Sequence, residues 1–174
     1  MDLGGVARHE PATVDEADRK AAVVAGVAER RGEPHVLFTK RADHLGEHPG
    51  QMSWPGGGRE PSDADLRATA LREVDEEIGM REPEVDFVGR LDDIHTVTNY
   101  DIRPFVARVP DREYVPDERE VAEVVFLPVS ALVDPANYES ELRDHPHYGE
   151  TRLDFFHVDG YTVWGATGRM LVQL

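Results

Sequence analysis

Arg72-Glu73-Val74-Asp75-Glu76-Glu77-Ile78-Gly79-Met80 is the stretch on which the reading of this chain turns. At 3.6 residues per turn, Leu71, Val74 and Ile78 fall on one side of a helix, the pattern of a face that packs inward. Glu73 and Glu77, four residues apart, share another face, and Glu76, three from Glu73, lies beside them. Each like-charged pair at this spacing costs a solvated helix ~0.2–0.5 kcal/mol. A divalent cation turns that repulsion into coordination, and hard oxygen ligands favour magnesium or manganese. In so acidic a chain the same pattern also arises as a plain solvated face. What sets it apart is the turn just upstream, Pro55-Gly56-Gly57-Gly58. Glycine, having no Cβ, lets backbone approach an anion or offer a carbonyl to a metal.

Upstream of the quoted stretch, Ser62 or Asp63 is placed to cap the helix, with Asp65 in its first turn. Downstream, Gly79 ends it in the left-handed conformation. Residues 42 to 62 read as loop, punctuated by Pro49-Gly50, the glycine turn and Pro61. Strands are expected over Ala21 to Ala28, His35 to Thr39, Val85 to Leu91, Ile102 to Val109, Val121 to Leu127, Thr151 to Val158 and Tyr161 to Trp164. Pro110 to Glu120 reads as a charged surface loop, and Ala166 to Leu174 as a short terminal helix. Strands and helices alternate without a regular parallel repeat, which predicts a mixed sheet covered by helices. Residues 1–20 read as a polar lead-in and 21–174 as one domain.

The chain has 174 residues, no cysteine and a formal net charge of −16. The absence of cysteine excludes disulfides and thiolate metal sites. Such acidity argues against nucleic acid or an anionic membrane as partner. No segment is apolar enough to span a bilayer, and Met1 to Glu10 lack the pattern of a signal peptide. A cytoplasmic protein is expected. Only Lys20 and Lys40 are lysines, the other cations being arginines. The acidity fits a salty cytoplasm, where ions screen self-repulsion, although codon bias also lowers lysine usage.

The quoted stretch resembles the second half of the Nudix box, G-x5-E-x7-R-E-U-x-E-E-x-G-U with U apolar, and matches it fully from Arg72 through Met80. The first half departs from it. Strict spacing puts Gly58 at the first glycine and Ala64 at the first glutamate, whereas counting from Gly57 puts Asp63 there. The chain around this departure resembles the coenzyme A pyrophosphatase branch. That resemblance runs through Val36-Leu37-Phe38-Thr39-Lys40-Arg41, Leu45, His48, Gly50-Gln51-Met52-Ser53, Trp54-Pro55-Gly56-Gly57, Asp63-Ala64-Asp65 and Thr69-Ala70-Leu71-Arg72-Glu73. Trp54 stands where phenylalanine is usual. Thr98-Asn99-Tyr100 with Pro104-Phe105, Glu120-Val121-Ala122-Glu123 and Trp164-Gly165-Ala166-Thr167 resemble later pieces of the branch, with Asn99 where glycine is usual. The likeness covers about residue 21 to the end.

The resemblance implies an α+β fold, an α/β/α sandwich holding a loop–helix–loop, and hydrolysis of a pyrophosphate bond by metal-activated water. It implies Glu73, Glu77 and Glu76 as ligands of Mg2+ or Mn2+, with a carbonyl near Gly56, and Arg72 orienting the glutamates. Lys40, Arg41, Gln51, Ser53 and Gly57 are the implied substrate contacts. A carboxylate of the cluster, His48 or His95 is the general base, the choice remaining open. In the coenzyme A branch the products are 3',5'-ADP and 4'-phosphopantetheine. Two other readings compete: another Nudix specificity, such as an ADP-sugar, NADH or an oxidised nucleotide, and a silent module that only binds a nucleotide. The intact Arg72, Glu73, Glu76 and Glu77 argue against the silent module. The oligomeric state is left open.

Overall fold

Eight consecutive buried residues, Ala21–Ala28, run through the middle of the chain's first long strand, so both of its faces are covered. This is seen in a computed structural model that describes residues 1–46, 48–145 and 149–174. The elements begin with α1 (Gly4–Arg8), β1 (Arg19–Arg30), β2 (Glu33–Arg41), β3 (Met52–Ser53), β4 (Gly56–Gly58) and α2 (Leu66–Ile78). They continue with β5 (Asp86–Arg90), β6 (Ile94–His95), β7 (Tyr100–Arg108), β8 (Val121–Pro128) and α3 (Val129–Leu132). The last are β9 (Tyr138–His145), β10 (Gly149–Val158), β11 (Tyr161–Val163) and α4 (Gly165–Leu171).

The main sheet has the order β3-β2-β1-β7-β5, with β4 also on β1, β6 on β7 and β8 on β2. β1 and β7 are parallel, and the other pairings in this sheet are antiparallel. A parallel pair needs a long crossover, and this one contains α2. Successive β1 side chains point to opposite faces. Ala22, Val24 and Ala28 join Leu37, Ala70, Val74 and Ile78 under α2. Val23, Ala25 and Val27 join Phe38, Trp54, Leu91 and Met170 on the other face, where Phe156 and Val158 of the small β9–β10–β11 sheet also pack. The result is the mixed sheet between helical layers that the sequence predicts.

Two local readings are corrected, and one strand lies where the sequence predicts none. Residues 42 to 62 are not all loop, because Ser53 pairs with Thr39 and Gly56–Gly58 pair with Val23–Ala21. Glycines carry no strand signal, so only the long-range pairing reveals β4. The helix cap is Asp65, which accepts 2.8 Å from Ala68 N–H, rather than Ser62 or Asp63. β9, with the polar sequence YESELRDH, lacks the apolar alternation that marks a strand and gains its structure by pairing with β10. Gly79 does end α2 with φ 62°. Its N–H bonds Asp75 O at 2.9 Å and that of Met80 bonds Val74 O at 3.1 Å.

The segment expected as a lead-in carries α1 and sends Leu3 into the core. Its backbone is tied to the sheet: Ala12 N–H bonds Asp92, and Glu16 and Ala17 N–H both bond Asp101 Oδ2 at 2.9 Å. Among the described residues no helix is long and apolar enough to cross a membrane.

Candidate active site

Two local events bring the site together. β1 pairs with the glycine strand β4, and α2 packs its apolar stripe over the same part of β1, so one face of the helix lies against glycine backbone. The closeness is severe. A Cβ on Gly57 would stand 2.5 Å from Glu73 Oε1, and one on Gly56 would stand 2.2 Å from Ala22 O, at φ 151°. Only glycine allows strand and carboxylates to approach this far.

Arg72 is the hub. Its Nε and Nη2 donate to Asp63 at 3.1 Å each, Nη2 also donates to Gly58 O at 2.9 Å, and Nη1 donates to Glu73 Oε1 and Glu76 Oε2, both at 3.0 Å. Asp63 accepts further from Glu60 N–H and Thr69 Oγ1, each at 2.9 Å. The Arg72 guanidinium, helped by these donors, holds the Asp63 carboxyl well below the usual range, and Asp63 in turn raises Arg72. Asp63 thereby fixes the arginine that reaches two glutamates. The sequence shows Asp63 at the site of the box's departure but not this partner.

Glu77 is buried and has one strong partner, Gly56 N–H, which donates to Oε2 at 3.0 Å. Burial pushes its carboxyl up to about 8. Glu73 and Glu120 push the same way, against the Gly56 N–H and the Arg41 charge. Glu73 is raised too, by burial first, with Arg72 opposing. Glu120 is thus a fourth carboxylate near the cluster, unmarked by the helical spacing. It arrives because the loop after β7 is bonded to the end of α2, Asp117 N–H to Glu77 O at 2.8 Å.

The other expected residues are divided. Arg41 lies close enough to lower Glu77, and among the described residues its buried Nε meets no hydrogen-bond partner. Lys40, Gln51 and His48 line a cavity of about 300 Å³ whose lining includes none of these carboxylates. Ser53 instead faces Thr39 across β2 and β3, at 3.3 Å between hydroxyls. Gly56 meets Glu77 through its N–H. His95 belongs to another network, its Nδ1 at 2.8 Å from Asp101 Oδ1. Among the described residues no three acidic or histidine side chains are gathered tightly enough to enclose a metal ion as they stand. Arg72 bridges Glu73 and Glu76, while Glu77 is held by Gly56.

Comparison with known proteins agrees with this architecture. The NUDIX domain model matches residues 18–147. An uncharacterized Nudix hydrolase NudL of an Enterobacter species is 35% identical over 164 residues, covering 92% of this chain and 83% of that protein. Its counterpart in Cronobacter sakazakii is 37% identical over 157 residues, covering 90% and 81%. A solved MutT/nudix family protein from Enterococcus faecalis superposes with a TM-score of 0.62 over 98% of this chain and 65% of its own, and at 12% identity it speaks for the fold alone. The matched region holds β4, α2 and all the carboxylates described above, and the chain belongs to the Nudix family of hydrolases, which act on pyrophosphate bonds.

Proposed function

We propose that this Nudix hydrolase cleaves the pyrophosphate bond of coenzyme A or its derivatives, giving 3',5'-ADP and 4'-phosphopantetheine. The observation that carries the reading is the meeting of two sets of residues. The half-buried Glu73 and the buried Glu77, which repel one another, stand against β4, and the segment from Val36 to Gly57 that resembles the coenzyme A branch forms the adjacent strands β2, β3 and β4.

The donor set fits Mg2+ or Mn2+. Glu73, Glu76 and Glu77 offer hard oxygens, two of them desolvated and pushed up, and Gly57 leaves open the space beside Glu73 that a Cβ would fill. These three residues, with backbone near Gly56, would hold the ion. An ion held there would supply charge neutralisation at the pyrophosphate and activation of the attacking water.

The remaining work falls to the chain itself. Arg72, clamped by Asp63, fixes the glutamates, and Gly56 N–H orients Glu77. Arg41, with its unpaired Nε, and Lys40 bind phosphate oxygens. Water adds its oxygen to one phosphorus, the bridging P–O bond breaks, and the water's proton passes to a base drawn from the carboxylate cluster, Glu120 included, or from His48, His95 being taken up by Asp101.

The test is a panel of coenzyme A, ADP-ribose and NADH, each incubated with magnesium or manganese and resolved by chromatography, with Glu77→Gln alongside. Release of 3',5'-ADP from coenzyme A by the native chain alone is expected. Cleavage of only another substrate overturns the coenzyme A reading.

A further inference from the structure

A cavity lined from the end of β2 and the segment leading into β3 has a far wall that lies beyond the residues matching the family model. Lys40, His48 and Gln51 line one side, and Tyr161, Thr162 and Trp164, from β11 and the entry to α4, line the other. The two walls meet closely: a Cβ on Gly165 would stand 3.2 Å from Gln51 Nε2, at φ 65°.

Two features of the cavity point to a ligand. The first is Trp164. Its ring is stacked on Phe155, centroids 5.9 Å apart and planes 11° apart, and Phe155 is stacked in turn on His157 at 6.4 Å and 5°. Trp164 nevertheless keeps 36% of its surface exposed. An indole braced on one side and reachable from a cavity is a rigid platform for a flat ring. The second is Lys40. The chain's other lysine, Lys20, is paired with both Asp15 and Asp101, whereas Lys40 has no ion pair among the described residues, in a protein of net charge −16. An unpaired ammonium in so negative a field suits a phosphate.

The geometry points to this cavity as the seat of the substrate's purine nucleoside, with the base stacked on Trp164 and a phosphate of the same nucleoside on Lys40. Trp164 is then a specificity-determining residue. The inference rests on the nucleotide reading above and does not depend on which group is attached through the pyrophosphate. A base fits better than a pantetheine arm, because both faces of a purine are flat and its polar edge can meet Gln51, His48 and Thr162.

Trp164 and the fully buried Trp54 are the only tryptophans, so emission reports the site. Adenosine 3',5'-bisphosphate and 4'-phosphopantetheine are titrated without metal into the native chain and into Trp164→Phe. Quenching of the native chain by the bisphosphate alone is expected, with no response from Trp164→Phe. In steady state, Trp164→Ala is expected to raise KM by about tenfold for whichever nucleotide derivative is cleaved, the larger share of the loss in kcat/KM lying in KM, and Trp164→Phe to restore most of it. Lys40→Met weakens the bisphosphate and leaves the binding of plain adenosine unchanged. Native emission unmoved by the bisphosphate, equal quenching by 4'-phosphopantetheine, or a Trp164→Ala defect confined to kcat overturns the proposal. If ADP-ribose is cleaved and coenzyme A is not, the coenzyme A reading falls, and the same KM test on ADP-ribose decides the role of Trp164. If nothing is cleaved, the metal-free titration decides it.

Discussion

Glu77 and Asp101 are both buried acids held against β1 neighbours, 8% and 3% exposed, yet their environments drive them in opposite directions. Burial raises Glu77 to about 8 because a single backbone N–H and the Arg41 charge cannot offset desolvation and two neighbouring carboxylates. Burial pushes Asp101 up as well, but Lys20, Ala17 N–H, His95 and Glu16 N–H outweigh it and leave the carboxyl below the usual range. Asp93 is as fully partnered, taking Arg103 at 3.0 and 2.7 Å and Arg90 at 3.1 Å. The difference separates acids that tie the N-terminal segment to the sheet from acids left short of partners, and the latter are where function is to be sought.

The largest expected effect tests that division directly. Glu77→Gln keeps the shape and the Gly56 contact on one side but removes an ionisable carboxyl that the fold does not need. Activity is expected to fall by at least ~10²-fold, while the melting temperature of the metal-free chain holds or rises. Asp101→Asn is the mirror case. It leaves Lys20 without its buried partner and is expected to cost roughly 3 kcal/mol in a denaturant melt, with activity per folded molecule retained. A stable Asp101→Asn, or an unstable Glu77→Gln, breaks the comparison.

Asp63 tests the boundary, since it is structural in its bonding but serves the site through Arg72. Asp63→Asn is expected to lower activity by about 10- to 100-fold, the usual cost of losing a residue that orients a ligand. Gly57→Ala, which pushes a methyl into Glu73, is expected to fall in the same range with the fold intact. Thermal melts read against pH sharpen the contrast further. Asp63 and Asp101 have depressed folded values, so the stability they contribute is fully present above the unfolded carboxyl value near 3.8 and is lost as pH falls through their lower folded values. The acid limb of the stability curve should therefore flatten at low pH in Asp101→Asn. The smallest effect concerns the overall charge: melting temperature should rise from low to molar salt as self-repulsion is screened, and a flat or falling profile would remove any case for adaptation to salt.

How much of this was legible beforehand follows from the range of the interactions. Glu73, Glu76, Glu77 and the Gly79 stop are helical spacings, local by nature, and β1 announces itself by its apolar run. Asp63 reaches Arg72 nine residues away only because a turn and a helix cap at Asp65 intervene, and spacing does not reveal that. Glu120 and Asp101 are brought to their places by pairing with segments far off in sequence, and β4 and β9 have residues whose strand character comes wholly from a partner. Ser53, expected at the substrate, is taken up by Thr39 for a similar reason: β2 and β3 pair there.

The most direct test of the account is a titration with Mn2+ followed by electron paramagnetic resonance in the native chain, Glu77→Gln and Asp101→Asn, each first shown to be folded. The account predicts that Mn2+ binds the native chain and Asp101→Asn alike and is lost or weakened at least about tenfold in Glu77→Gln. Equal binding by Glu77→Gln, or loss in Asp101→Asn, would place the metal elsewhere and contradict the assignment of the α2 carboxylates.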